Sequence, residues 1–216
     1  MKFLYTGAEH TNCQQIDPEL SLGGKVSDTI IPNDLAQNIF SVASYLSIQQ
    51  KKRETKLIAL LNDDPSKTAT LITLNFGVNG DESCSEDSNG SIANYQIAFV
   101  SPNEENCFEK LSNAAALPYY ATFQPIVSGQ PISLPDLAPG EYLGIWLMRT
   151  YNYDSPDLVN KDLNYWKKIA ARIQRYEGND LGGGDYHHSH PNHKYEFEKE
   201  PGITETLDII LDYTLE

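Results

Sequence analysis

The sequence predicts a mainly β protein, an antiparallel β-sandwich of about seven strands, and three observations point there. Thirteen tyrosines and twelve prolines against two methionines favour strands and turns over a helical bundle. Between Thr55 and Thr150 the chain falls into six short apolar or alternating runs separated by turn-forming residues. A final run, ETLDIILDYTLE, sets Leu207, Ile209, Leu211 and Tyr213 on one face and Asp208, Asp212 and Thr214 on the other, the period of a half-buried strand.

The elements follow in order. Residues 1–34 show little periodicity, and DPELSLGGKVSDTIIPND is dense in turn formers: Asp17-Pro18, Gly23-Gly24, Pro32-Asn33-Asp34. This stretch reads as an extended arm that gains order only by lying on another surface, with Leu20, Leu22, Ile30 and Ile31 as its assembly contacts. The sandwich domain then occupies 35–216. It opens with Leu35, Ile39, Val42 and Leu46 at helical spacing behind a possible Asn33 cap. The six strand runs are Thr55–Asn62, Ala69–Phe76, Ala93–Val100, Pro118–Ile126, Gln130–Leu134 and Glu141–Thr150. Their connections, NDDPSK, GVNGDESCSEDSNGS, VSGQ and PDLAPG, carry turn chemistry throughout.

An insertion over 155–202 precedes the last strand and is too long for an ordinary connection. Ser155-Pro156-Asp157 reads as a helix start and Gly178 as its stop, with Val159, Leu163, Trp166, Ile169, Ile173 and Tyr176 on one stripe. Lys167, Lys168, Arg172 and Arg175 make this the only strongly basic stretch of an acidic chain. It reads either as a helix packed on the sandwich with solvated charges or as a projection that docks on an acidic neighbour. The second half of the insertion holds His187, His188, His190 and His193 within seven residues. Imidazole is the commonest metal ligand, so the four are the metal candidates of the chain. Gly182, Gly183 and Gly184 before the cluster and Pro191 within it exclude the continuous helix that would aim two rings at one point, so the run reads as a contact loop, His187 and His190 among its contacts, with no metal assigned.

Composition narrows function further. At 216 residues the chain fits one domain with an elaboration. A net charge of −14 disfavours a grip on nucleic-acid phosphates or anionic lipid. The start, MKFLYTGAEHTNC, has no apolar run suited to a signal peptide, and no later stretch suits a membrane span, which predicts synthesis in a cytoplasm. Cys13, Cys84 and Cys107 lack a CxxC pattern and read as free thiols. Asp81, Glu82, Glu86 and Asp87 lie close together but lack the ligand spacing of a calcium loop. GxSxG, HExxH, the phosphate-binding GxxxxGK[ST] and a strand-coupled GxGxxG do not occur, so no catalytic residue and no cofactor is expected.

One pattern spans most of the chain. LYTGA, then LSLGGKVSDTIIPN (Leu20–Asn33), then KLIALLN, YQIAFVSP, PYYATF and GEYLGIWLMRT (Gly140–Thr150), in that order, resembles virion structural proteins of tailed bacteriophages, and within them the neck and tail ring proteins of crAss-like, short-tailed phages. The likeness covers about Leu4 to Thr150 plus the final strand. It implies a non-enzymatic β-sandwich that assembles with identical subunits into a ring below the portal and meets the portal and neighbouring ring or tail proteins in a virion made in the host cytoplasm. The alternative reading is a carbohydrate-binding sandwich of a fibre or decoration protein, with Tyr119, Tyr120, Tyr142 and Trp146 as aromatic platforms. A metal-dependent hydrolase built on the histidine loop is the third and weakest reading.

Overall fold

The computed structural model describes residues 1–10, 13–32, 39–40, 53–79, 93–151 and 206–216. These build two antiparallel sheets. The larger has seven strands in the order β6-β2-β1-β3-β9-β5-β7, and the smaller has three in the order β10-β4-β8. The strands are β1 (Lys2–Ala8), β2 (Gly24–Ile30), β3 (Arg53–Leu61), β4 (Ala69–Asn79), β5 (Ala93–Val100), β6 (Cys107–Phe108), β7 (Gln124–Pro125), β8 (Ile132–Ser133), β9 (Tyr142–Tyr151) and β10 (Thr206–Leu215). The mainly β, sandwich-like expectation holds. The runs beginning at Thr55, Ala69, Ala93 and Glu141 are strands close to their expected bounds, whereas those at Pro118 and Gln130 shrink to two-residue strands.

The N-terminal segment corrects the sequence reading. It is not an arm: β1 lies inside the large sheet, paired with β2 on one side and with β3 on the other. Leu4, Tyr5 and Thr6 are buried, and Ile31, expected at an assembly contact, is core at 3% exposure with its amide donating to the Phe3 carbonyl. The physical reason is two-sided burial. A strand covered on both faces needs no alternation, so FLYT carries no period to detect.

Two apolar clusters flank the large sheet. One fills the space toward the small sheet, where Ile58, Leu60, Ile97, Ile145 and Leu147 meet Ile72, Leu74 and Phe76 of β4 and Leu207 of β10. The other lies on the opposite face, where Leu4, Val26, Leu57, Ala59, Ala98 and Trp146 pack with Phe108 and Leu111. Along that face large and small side chains interlock. Trp146 sits between Leu57 and Ala98 in register, and Gly144 sits between Ala59 and Val100. A Cβ on Gly144 would stand 2.5 Å from the Phe108 ring, so the glycine makes the dent that this ring fills.

Ile39 and Phe40 are the described part of the stretch expected to be helical. Both are buried, and the Phe40 ring lies 5.9 Å from that of Tyr95. The rest of that stretch, the acidic run with Cys84, and the whole insertion over 155–202 with its basic and histidine-rich segments lie outside the described residues.

Candidate functional site

The segment joining β1 to β2 organises one face of the molecule. β1 and β3 pair only from Lys2↔Leu61 to Tyr5↔Ile58, and then the strands part. Ser21 enters the gap: the Leu57 amide donates to its carbonyl at 2.8 Å, and the Thr6 hydroxyl donates to the Leu57 carbonyl at 2.8 Å. The same hydroxyl accepts from the Gly23 amide at 3.2 Å, and the Thr6 amide donates to Ser21 Oγ at 3.3 Å. Gln15, buried, completes the knot by donating from Nε2 to the Thr6 carbonyl at 2.7 Å and from its amide to Ser27 Oγ at 2.8 Å. These side chains satisfy backbone groups that the parted ladder would leave bare, which a buried position requires.

Glycine makes the crossing possible. Gly23 has φ +91°, and a Cβ there would lie 1.8 Å from the Glu109 carbonyl oxygen and 3.2 Å from the Trp146 ring. Leu22 accepts from the Leu111 amide, and the Glu109 carboxylate accepts from the Tyr119 amide at 2.8 Å. The chain therefore runs by direct contacts from the Trp146 core, through Gly23 and Glu109, to the surface pair Tyr119 and Tyr120. Those two rings meet edge to face at 4.7 Å and are both more than 80% exposed. Of the four aromatics expected as platforms, these two lie on the surface, Tyr142 is half-buried, and Trp146 is core at 1% exposure. Trp146 is thus removed from any binding face, and its place on the face opposite the small sheet explains why it could not be told from a platform by sequence alone.

Of the other expected contacts, Leu20 and Ile30 are exposed and Leu22 is half-buried. Lys167, Lys168, Arg172, Arg175, His187, His188, His190 and His193 lie outside the described residues. Among the described residues no group of three or more His, Cys, Asp or Glu side chains is placed to hold a metal ion. Cys13 and Cys107 are free thiols.

Two charged constellations went unread in the sequence. In the first, Arg149 of β9 lies directly across from Glu54 of β3 and is 1% exposed. Its guanidinium binds the Glu54 carboxylate through Nε at 3.1 Å and through an Nη, and stacks 4.8 Å from the centroid of Phe40. Lys56, also fully buried, reaches Glu19 at 2.8 Å. These pairs close one end of the large sheet, holding the Phe40 segment to β9 and the β1–β2 connection to β3. In the second, Asp63 accepts from the Met1 α-amino group at 2.7 Å and from Lys2 Nζ at 2.9 Å. Hydrogen bonds from the α-amino group first and Lys2 second hold its carboxyl down at about 2.

Asp63 also borders an open groove of about 440 Å³ with Asn62, Asp64, Pro65, Gly140 and Tyr142. Its polar groups are committed to the turn. Asn62 Nδ2 donates to the Lys67 and Leu137 carbonyls, and Asp64 accepts from the Ser66 and Lys67 amides, which lower its carboxyl. Tyr142 also lines the groove, and burial, then the charge of Asp28, raises its hydroxyl above the ordinary phenol value. The groove is a scaffolded turn without a nucleophile or a proton-transfer pair. Compared with family models, curated proteins and solved structures, the chain matches none.

Proposed function

We propose that the chain is a non-enzymatic structural subunit of a bacteriophage virion, forming with identical copies a ring in the neck or tail below the portal and meeting the portal and adjoining ring or tail proteins. One observation supports the reading above others. The two segments that carry the resemblance most specifically, Leu20–Asn33 and Gly140–Thr150, meet in space where Gly23 lies against Trp146. The likeness therefore falls on residues that build one interlocked unit of the fold, where replacement is costly, and not on interchangeable surface. The exposed Leu20 and Ile30 on the same segment supply apolar surface to a neighbour.

The test is electron microscopy and native mass measurement of the purified full chain, alone and with the portal-proximal proteins of its virion. Closed rings of one subunit number are expected. A monomer that ignores those proteins at every concentration overturns the reading.

A second reading, a carbohydrate-binding module, draws on Tyr119 and Tyr120, whose rings stand in solvent. Glycan-array binding that disappears in Tyr119→Ala and Tyr120→Ala, with no ring formed, selects it.

A further inference from the structure

The four sheet edges of the described structure differ sharply. The large sheet ends in β6 and in β7, two residues each, and β7 contains Pro125, which cannot donate to a ladder. The small sheet ends on one side in β8, two residues preceded by Pro131. Short and proline-bearing edges are the protected kind. The fourth edge is β10, ten residues long, with no proline, lysine or arginine, and with the ladder's one irregularity carried by the facing strand: Asp212 pairs with Thr73 and Thr214 with Thr70. Among the described residues nothing pairs with its second side.

The side chains and backbone of β10 specify what would fit. Glu216 and Thr68 exchange both of their backbone hydrogen bonds at 3.0 Å. The alternation of an antiparallel ladder then turns the amides and carbonyls of Tyr213 and Leu215 toward the open side, and the same parity continues toward Leu207. On the core side Ile209, Leu211 and Leu215 are only partly buried and Tyr213 is 40% exposed. On the solvent side Asp208, Asp212 and Glu216 recur every four residues around Ile210, which is 58% exposed. A second copy would bring the same acidic solvent face to this edge, whereas opposite charges across a strand pair favour it.

We propose that the open edge of β10 is a docking site for a strand of a partner protein in which basic and apolar residues alternate, the apolar set extending the core beside Ile209 and Leu211 and the basic set facing Asp212 and Glu216. This is strand addition, in which main-chain hydrogen bonds give affinity and alternate side chains give specificity. It does not rest on the ring reading.

The probe is a capped seven-residue peptide alternating Lys and Val, titrated against the full chain by fluorescence anisotropy. Saturable one-to-one binding is expected. The same peptide with Glu in place of Lys, and the Asp212→Lys/Glu216→Lys double variant with the Lys peptide, should each bind about tenfold more weakly or less. A peptide N-methylated on alternate amides should not bind, and the unmodified peptide should slow hydrogen exchange at the Tyr213 and Leu215 amides. Equal binding of the Glu or N-methylated peptide, or no saturable binding, overturns the proposal. So does free protein whose Tyr213 and Leu215 amides already exchange as slowly as those of β3, since the edge would then be occupied by the chain itself or a second copy.

Discussion

The strands at the two ends of the chain occupy opposite situations. β1 lies in the interior of the large sheet, paired on both sides, with Leu4 facing one apolar cluster and Tyr5 the other. Among the described residues β10 lies on the rim of the small sheet, paired on one side, with Leu207 buried and Ile210 in solvent. The first is held by a strand on either side and an apolar cluster on either face, while the second has one described neighbour and more exposed side chains. Position in the sheet, more than apolar content, decides which strand serves the fold and which can serve recognition.

The largest effects should therefore come from β1 and what surrounds it. Leu4→Ala should cost about 3 kcal/mol and Ile210→Ala no more than about 0.5, both read from chemical denaturation. Removing residues 1–31 should abolish the cooperative thermal transition altogether, and a truncated chain that still melts cooperatively would break the comparison. Gly23→Ala belongs with the large effects, because it adds strain at positive φ to a collision with a backbone carbonyl.

Next comes the charged end of the large sheet. Glu54→Gln leaves the buried Arg149 guanidinium short of its carboxylate and should cost about 3 kcal/mol, whereas Asp212→Asn on the rim should change stability by less than about 0.5. Equal losses from the two would mean that β10 is as enclosed as β3. A smaller effect, of opposite sign, is expected at Leu71. It has φ +51° and is 75% exposed at the irregularity between β4 and β10. Leu71→Gly should raise stability by about 0.5 kcal/mol, relief of strain outweighing the added freedom of the unfolded chain.

The smallest effect concerns acid. The Asp63 carboxyl sits at about 2 in the folded chain against an ordinary 3.8, so its contribution is present above 3.8 and is lost as pH falls through about 2. Asp63→Asn should be less stable than the parent by under about 1 kcal/mol near neutrality, the pair being partly solvated, and the two should converge below about pH 2. A difference that persists there would assign the loss to packing and not to charge.

These contrasts also explain what was legible in the sequence. β10 was readable because one face is wet, so Leu207, Ile209 and Leu211 alternate with Asp208 and Asp212. β3 and β9 were readable as continuous apolar runs bounded by turns, and β5 by the alternation of Asn94 and Gln96 with apolar neighbours. β1 was not, since FLYT is buried on both sides and the turn formers after it dominated the stretch. In KVSDTII the period is masked because Ser27 is a buried hydrogen-bonding group within the Gln15 knot. At the surface, Tyr119 and Tyr120 could be named but not separated from Trp146, because exposure is a property of the finished sheet. The pairing of Arg149 with Glu54 was invisible for the same reason, since it depends on a register between residues far apart in the chain.

That register has a consequence for how the molecule is made. Leu61 pairs with Tyr142, so the centre of the large sheet cannot close until β9 has been synthesised, and contacts of such long separation are slow to form. β1, made before β3, must wait beside β2 with one neighbour missing. The crossing of Gly23 over Trp146 can be locked only after β9 arrives. Until that moment FLYT and KVSDTII together form a half-covered ribbon, the stage at which a nascent chain is most open to pairing with the wrong strand and most in need of a chaperone's shelter.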